Sequence, residues 1–126
     1  MTGDPLPELD LLTLSGEEML LSKFQGIKTA FLLVSANCEP CKEFLSKIQT
    51  NGADPFDPSV KRKVLISISS IDDTLDMLQQ IGINHNTFVI LVDENKSAAE
   101  NWGILSTPTT IIADEKLRVV SQIFGN

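Results

Sequence analysis

The chain has 126 residues, of which 42% are hydrophobic and 21% are charged, and its formal net charge at pH 7 is −7. This length suits a single domain over residues 1–126 with an ordinary buried core. The negative charge argues against a nucleic-acid-binding protein or one that binds anionic membranes, since both need a basic surface. The longest apolar run, TAFLLV, is too short to cross a bilayer and predicts a buried strand.

The two ends of the chain bear on its location. The N-terminal stretch MTGDPLPELDL has neither the basic start nor the apolar middle of a secretory signal, so the chain as written is predicted to be cytoplasmic. The sequence nevertheless begins in a proline-rich segment and stops directly after a predicted strand. We therefore expect a piece of a longer protein that is extracytoplasmic and anchored to a membrane by a segment outside these residues.

The first half of the chain predicts a hairpin, a strand and a helix. Short apolar stretches at residues 11–14 and 19–21 flank a Ser-Gly turn and predict a small β-hairpin. Residues 28–34 predict the first central strand, and residues 38–49 predict a helix. The helix prediction rests on apolar residues that recur along one helical face, namely Cys41, Phe44, Leu45 and Ile48.

A second strand and helix follow a loop rich in Gly, Asn, Asp and Pro. Residues 64–68 predict the buried strand, and Asp72 and Asp73 open the helix. The inner face of this helix is predicted to carry Ile71, Leu75, Leu78 and Gly82.

The remaining elements are predicted to be short. The stretch TFVILV predicts a third strand, and residues 95–102 predict a helix capped by Asn95. Residues 109–113 and 117–124 predict two strands joined by the tight turn DEK. Strands that alternate with helices indicate an α/β fold with a largely parallel sheet, to which the final hairpin adds an antiparallel edge.

The two cysteines, Cys38 and Cys41, are separated only by Glu39 and Pro40. A structural zinc site needs four ligands, whereas the chain adds one histidine, His85, in a predicted loop. We therefore expect no metal and no cofactor, although a copper site made of the pair and His85 stays open.

A purely structural disulfide would close too short a loop to stabilise the fold much. In a further alternative, the two cysteines are buried thiols that act only as small hydrophobic side chains. This suits Cys41 on the apolar stripe of the helix but not Cys38 at the strand-to-helix turn.

Redox chemistry accounts for both positions. Cys38 would lie where the first N–H groups of the helix are unpaired and its macrodipole is positive, which favours a thiolate. Such motifs lower the pKa of a cysteine from about 8.5 to roughly 3.5 to 7.5. Cys38 would attack the disulfide of a partner protein, and Cys41, one turn further along, would release the mixed disulfide.

The sequence resembles the thioredoxin superfamily, specifically the TlpA-like thiol–disulfide oxidoreductases of the ResA and MauD types. The likeness extends from LSGEEMLLSKFQGIKTAFLLVSANCEPCKE through NTFVILVDENKSAAENWGILSTPTTIIADEKLRVVSQIFG. It implies a thioredoxin-like fold, a central mixed sheet flanked by helices, with an N-terminal β-hairpin and a central strand and helix insert. It also implies a cis peptide before Pro108 that faces the cysteine pair, and an exposed backbone at Thr107 that pairs with an extended substrate segment.

Three features depart from the family pattern. Asn37 stands where relatives often have Trp, and Leu32 stands where they commonly have a polar or acidic residue. A buried proton acceptor for Cys41 would then have to come from elsewhere. Asp72 or Asp73 is a candidate, although a helix-capping role fits both residues better. The usual last helix is also missing, which is expected to leave part of one sheet face uncovered.

The resemblance and the local charge together predict a reductant. Glu39 places a negative charge beside the Cys38 sulfur, which disfavours the thiolate and makes the dithiol a stronger electron donor. We expect a monomer that exchanges disulfides with protein substrates and with a redox partner protein. Cys38 and Cys41 are the candidate catalytic residues, and Glu39, Pro40, Thr107 and Pro108 are the candidate supporting residues.

Two other functions compete with disulfide exchange. A peroxiredoxin-like peroxidase would use Ser35, three residues before Cys38, together with the guanidinium of Arg118. The proline that normally precedes that motif is absent, and Phe31 stands in its place. A copper-handling assembly chaperone would instead bind metal through the cysteine pair and His85.

Overall fold

The computed structural model describes residues 3–50, 56, 58–83 and 87–124. Within these residues it contains seven strands: β1 (Leu11–Leu12), β2 (Glu18–Met19), β3 (Thr29–Val34), β4 (Arg62–Ser67), β5 (Val89–Val92), β6 (Thr109–Ala113) and β7 (Val119–Phe124). It also contains three α-helices, α1 (Glu39–Thr50), α2 (Ile71–Ile81) and α3 (Ser97–Asn101), and a 3-10 helix at Leu21–Phe24. None of these helices combines the length and apolar character that a membrane span requires.

All seven described strands form one mixed sheet in the order β2-β1-β5-β4-β3-β6-β7. The three central strands β3, β4 and β5 are parallel, and α1 and α2 connect them. Both flanking hairpins run antiparallel to the centre, β1 against β5 and β6 against β3. The fold is therefore α/β with a thioredoxin-like mixed sheet, as the sequence predicts, and the N-terminal hairpin extends the same sheet. The helix α2 and the strand β5 occupy the place predicted for the insert.

Alternate residues of β3 point to opposite faces of the sheet, as the geometry of a strand requires. Leu32 and Val34 pack in a cluster with apolar residues of α1 and α2, whereas Phe31 and Leu33 pack in a cluster on the other face. The second cluster is covered by the N-terminal segment, the 3-10 helix and Trp102 rather than by a long helix. No described element covers the end of β7, where Phe124 is 68% exposed.

The inner face of α2 differs from the prediction. Thr74, Met77 and Leu78 are buried, whereas Leu75 is 43% exposed. The helix is capped by Ser70, whose hydroxyl accepts a hydrogen bond from the Asp73 N–H. Gly82 is not on the inner face but ends the helix at φ 63°, a conformation that glycine adopts without steric cost.

The cap of α3 also differs from the prediction. The carboxylate of Asp93, which is fully buried, accepts hydrogen bonds from the N–H of Ser97 (2.9 Å), the hydroxyl of Ser97 (2.6 Å) and the N–H of Ala98 (2.8 Å). Asn95 is exposed, and the helix begins only at Ser97. Asp93 directly follows β5, and the tight turn between β5 and α3 brings its carboxylate to the start of the helix.

We predict that Asp93→Ala lowers the free energy of unfolding by about 3 kcal/mol, because it leaves three buried donors without their acceptor. The matched variant Asn95→Ala is expected to change it by no more than about 0.5 kcal/mol. Urea denaturation of both variants measures the difference. Equal losses, or a larger loss for Asn95→Ala, would restore Asn95 as the capping residue.

Candidate active site

Cys38 caps the N-terminus of α1. Its carbonyl accepts the first helical hydrogen bond from the Lys42 N–H (3.2 Å), and its own N–H donates to the Ser35 carbonyl (3.3 Å). The Cys38 sulfur accepts a hydrogen bond from the Cys41 N–H (3.1 Å), as the side-chain oxygen of an N-cap residue does in other helices. Because Pro40 has no N–H, it contributes no donor to the first turn of the helix. The Cys38 sulfur thus lies at the positive end of α1.

Cys38 and Cys41 are joined by a disulfide, with their Cα atoms 5.2 Å apart. This separation lies in the range that unstrained backbones allow. The two residues differ in exposure, because Cys41 is fully buried on the inner stripe of α1 whereas Cys38 is partly exposed. Of the two cysteines, only Cys38 therefore has surface that a partner can contact.

The segment before β6 passes directly beside the cysteine pair. The Thr107–Pro108 peptide bond is cis, as the resemblance implies. The Thr107 carbonyl oxygen lies 3.6 Å from the Cys38 sulfur, and the hydroxyls of Ser35 and Thr107 lie 3.3 Å apart. The strand-to-helix turn and the cis-proline segment therefore meet at Cys38.

A set of hydroxyl groups that sequence reasoning missed supports the same turn. The Ala36 N–H donates to the Ser69 hydroxyl (2.9 Å), and the Ser69 N–H donates to the Ser67 hydroxyl (3.2 Å). The hydroxyls of Ser67 and Thr74 form a buried hydrogen bond of 2.7 Å. The only sequence signal for this set is the run of serines that follows β4, which resembles an ordinary polar loop.

Glu39 and Lys42 form an ion pair one turn along the surface of α1, with 3.4 Å between Glu39 Oε1 and Lys42 Nζ. The Glu39 side chain is 78% exposed, so water also screens its charge. The charge that the sequence places beside Cys38 is thus partly offset by Lys42.

The carboxylates considered as proton acceptors for Cys41 do not lie in the protein interior. Asp72 and Asp73 are both exposed in the first turn of α2, and Asp73 borders an open polar cleft beside Asn37. Leu32, at the position where the resemblance leads us to expect a polar or acidic residue, is fully buried. Neither aspartate is therefore a buried acceptor for Cys41; both lie in the exposed first turn of α2, whose N-cap is Ser70.

Arg118 lies at the end of the sheet opposite the cysteine pair. Strand β6 begins at Thr109 beside the cysteines and ends at Ala113, and Arg118 follows the next turn. The Arg118 N–H donates to the Asp114 carboxylate (2.9 Å), and this hydrogen bond holds the pKa of Asp114 below its ordinary value. About 15 Å of strand therefore separates Arg118 from Cys38. The guanidinium required by the peroxidase interpretation is not supplied by this residue.

The copper alternative depends on His85, which lies outside the described residues. In the described part of the chain, no three His, Cys, Asp or Glu side chains are grouped closely enough to hold a metal ion.

Three comparisons relate the chain to known proteins. The family model described as the AhpC/TSA family matches residues 2–122. The thioredoxin-like protein YneN of Bacillus subtilis is 29% identical over 118 residues, which cover 90% of this chain and 66% of YneN. The chain thus spans just under two thirds of the length of this relative.

Solved structures show the same fold at low sequence identity. A protein assigned as the thiol:disulfide interchange protein DsbE from Chlorobium tepidum matches with a TM-score of 0.77 and 20% identity, over 99% of this chain and 86% of that one. StoA from Bacillus subtilis matches with a TM-score of 0.71 and 22% identity, over 94% of this chain and 88% of that one. At these identities the likeness establishes the fold.

Proposed function

Because the chain belongs to the AhpC/TSA family and has a thioredoxin-like fold, we propose that it is a thiol–disulfide oxidoreductase acting on protein disulfides. The observation that carries the proposal is the unequal placement of the two sulfurs. Cys38 is partly exposed and accepts a hydrogen bond at the start of a helix, and the buried Cys41 is already bonded to it. The names of YneN and of DsbE, a thioredoxin-like and a disulfide interchange protein, support the same activity.

The reaction starts from the reduced pair. The Cys38 thiolate attacks one sulfur of a partner disulfide, so that a mixed disulfide forms and the other partner sulfur leaves as a thiolate, which takes up a proton. Cys41 then loses its proton and attacks the Cys38 sulfur. The Cys38–Cys41 disulfide forms, and the second partner thiol is released. Two electrons have passed from the protein to its partner; one of the two protons that the partner gains comes from Cys41, and the other comes from the solvent, which received it when Cys38 ionised.

Four neighbouring residues support this exchange. Pro40 has no N–H that could compete with the Cys41 N–H for the Cys38 sulfur. The carboxylate of Glu39 modulates the stability of the Cys38 thiolate. The Thr107 backbone lies 3.6 Å from the Cys38 sulfur, so an extended partner segment that pairs with this backbone brings its own sulfur into reach. Pro108 holds that backbone against the cysteines.

The partners are proteins with exposed disulfides, including one that restores the reduced pair. Stable disulfides occur chiefly outside the cytoplasm, so we place this exchange in an extracytoplasmic compartment. The protein acts there as a monomer, tethered to the membrane by a segment outside the given residues.

Replacing Cys41 with Ser is predicted to stop the reaction at the mixed disulfide, because no second thiol remains to release the partner. Mass spectrometry of the intact protein, after incubation with an oxidised substrate protein, should find the substrate bound to Cys38. Cys38→Ser serves as the control and should trap none. Equal trapping by the two variants would contradict the assigned order of attack.

The proposed direction of exchange is reduction of the partner. A negative charge near Cys38 destabilises the thiolate and hence the reduced pair, which lowers the reduction potential. Lys42 acts in the opposite sense, since it pairs with Glu39 and is itself positive. We therefore expect a potential closer to the thioredoxin value of about −270 mV than to the DsbA value of about −120 mV.

Opposite shifts of the potential are predicted for the two members of the ion pair. Glu39→Gln should raise the potential and Lys42→Met should lower it, each by about 20 mV or less because both groups are near the surface. Equilibration with glutathione buffers measures both. Shifts in the same direction would show that the charges of Glu39 and Lys42 do not set the potential, and a wild-type value near about −120 mV would contradict the reducing role.

A further inference from the structure

An apolar cavity of about 260 Å³ lies beside the cysteine pair. Its lining consists of Ile68, Lys96, Ala98, Ala99, Ile104, Leu105, Ser106 and Thr107. Thr107 belongs both to this lining and to the surroundings of Cys38, since its carbonyl lies 3.6 Å from the sulfur. The cavity and the reactive sulfur are thus parts of one continuous surface.

Leu105 at the rim of this cavity is 92% exposed, more than any other large hydrophobic side chain among the described residues. A single exposed leucine is common on protein surfaces. Here, however, Leu105 adjoins an apolar recess that contains Ile68 and Ile104. An exposed apolar side chain at the mouth of an apolar recess is typical of a binding site.

The walls of the cavity are fixed by hydrogen bonds. The N–H groups of Trp102 and Ile104 both donate to the Ala98 carbonyl, at 3.0 and 3.2 Å. The Thr109 hydroxyl donates to the Ser106 carbonyl (2.8 Å) at the other end of the segment. The recess is therefore formed before any partner arrives, which reduces the entropy lost on binding.

We propose that this cavity binds a large aliphatic side chain located two residues from the reactive cysteine of the partner. The inference rests on the proposed function, because it assumes that an extended partner segment lies along Thr107. In an extended chain, side chains two residues apart point to the same side and lie about 7 Å from one another. Thr107 lies beside Cys38 and lines the same cavity as Leu105, so the proposal places the second neighbour of a partner cysteine bound at Cys38 in this cavity, against Leu105.

The test uses the reduced wild-type protein and three seven-residue peptides of Ser and Gly with a central cysteine. Each peptide cysteine is blocked as a mixed disulfide with nitrothiobenzoate, whose release is followed by absorbance. One peptide has Leu two residues before the cysteine, one has Leu two residues after it, and one has Ser at both places. The wild-type protein should react with one of the leucine peptides about tenfold faster, by the second-order rate constant for nitrothiobenzoate release, than with the serine peptide.

In each variant we measure the ratio of the rate with the preferred leucine peptide to the rate with the serine peptide. Any change in Cys38 reactivity affects both rates equally and cancels from this ratio. Leu105→Ser should reduce the ratio to about twofold or less, because the apolar rim is lost. This side chain is almost fully exposed, so the fold does not depend on it. Leu20→Ser is the matched control, since Leu20 is also exposed, at 55%, but lies outside the cavity lining. It should keep the wild-type ratio.

Two results would overturn the inference while leaving disulfide exchange intact. One is equal wild-type rates for all three peptides, and the other is an unchanged preference in Leu105→Ser. Absence of nitrothiobenzoate release from every peptide would be a different failure, because it contradicts the proposed function and with it the docking site.

Discussion

The hydrogen bond from the Cys41 N–H to the Cys38 sulfur is the interaction on which the site depends. It exists because Cys38 occupies the N-cap of α1, where unpaired N–H groups would otherwise need another acceptor. A thiolate is a better acceptor than a thiol, so we expect the same interaction to stabilise the Cys38 thiolate in the reduced pair. Under the proposed function, fold stability and reactivity are linked through this single donor.

The scaffold gives the two sulfurs different environments. Strand β3 is buried along its whole length and ends just before the turn that carries Cys38, so this turn lies at the surface. Cys41 then falls on the stripe of α1 that packs against Leu32, with no exposed surface. One helical turn is short enough for a disulfide to form and long enough to separate an accessible sulfur from a protected one. An exchange enzyme needs both conditions, because the partner must enter at one sulfur and be released by the other.

Much of this arrangement could be predicted from the sequence, because it depends on local patterns. Hydrophobic periodicity located β3 and the stripe of α1 within one or two residues, and the cysteine spacing indicated the candidate site. Two errors are choices between neighbouring residues that hydrophobic periodicity does not resolve: Asp93 rather than Asn95 caps α3 because a turn folds it back, and Leu75 faces solvent because Thr74 takes the inner position. The contact between Ser35 and Thr107 could not be predicted for a different reason, because it joins residues 72 positions apart and leaves no trace in spacing.

The pH dependence of Cys38 alkylation in the reduced wild-type protein tests the central claim most directly, since iodoacetamide reacts with the thiolate and Cys41 is buried. If the start of α1 stabilises the Cys38 thiolate, the rate should reach half of its maximum clearly below the value of about 8.5 of a free cysteine. A half-maximal rate at or above about 8.5 would contradict the account, because the helix would then give the sulfur no advantage.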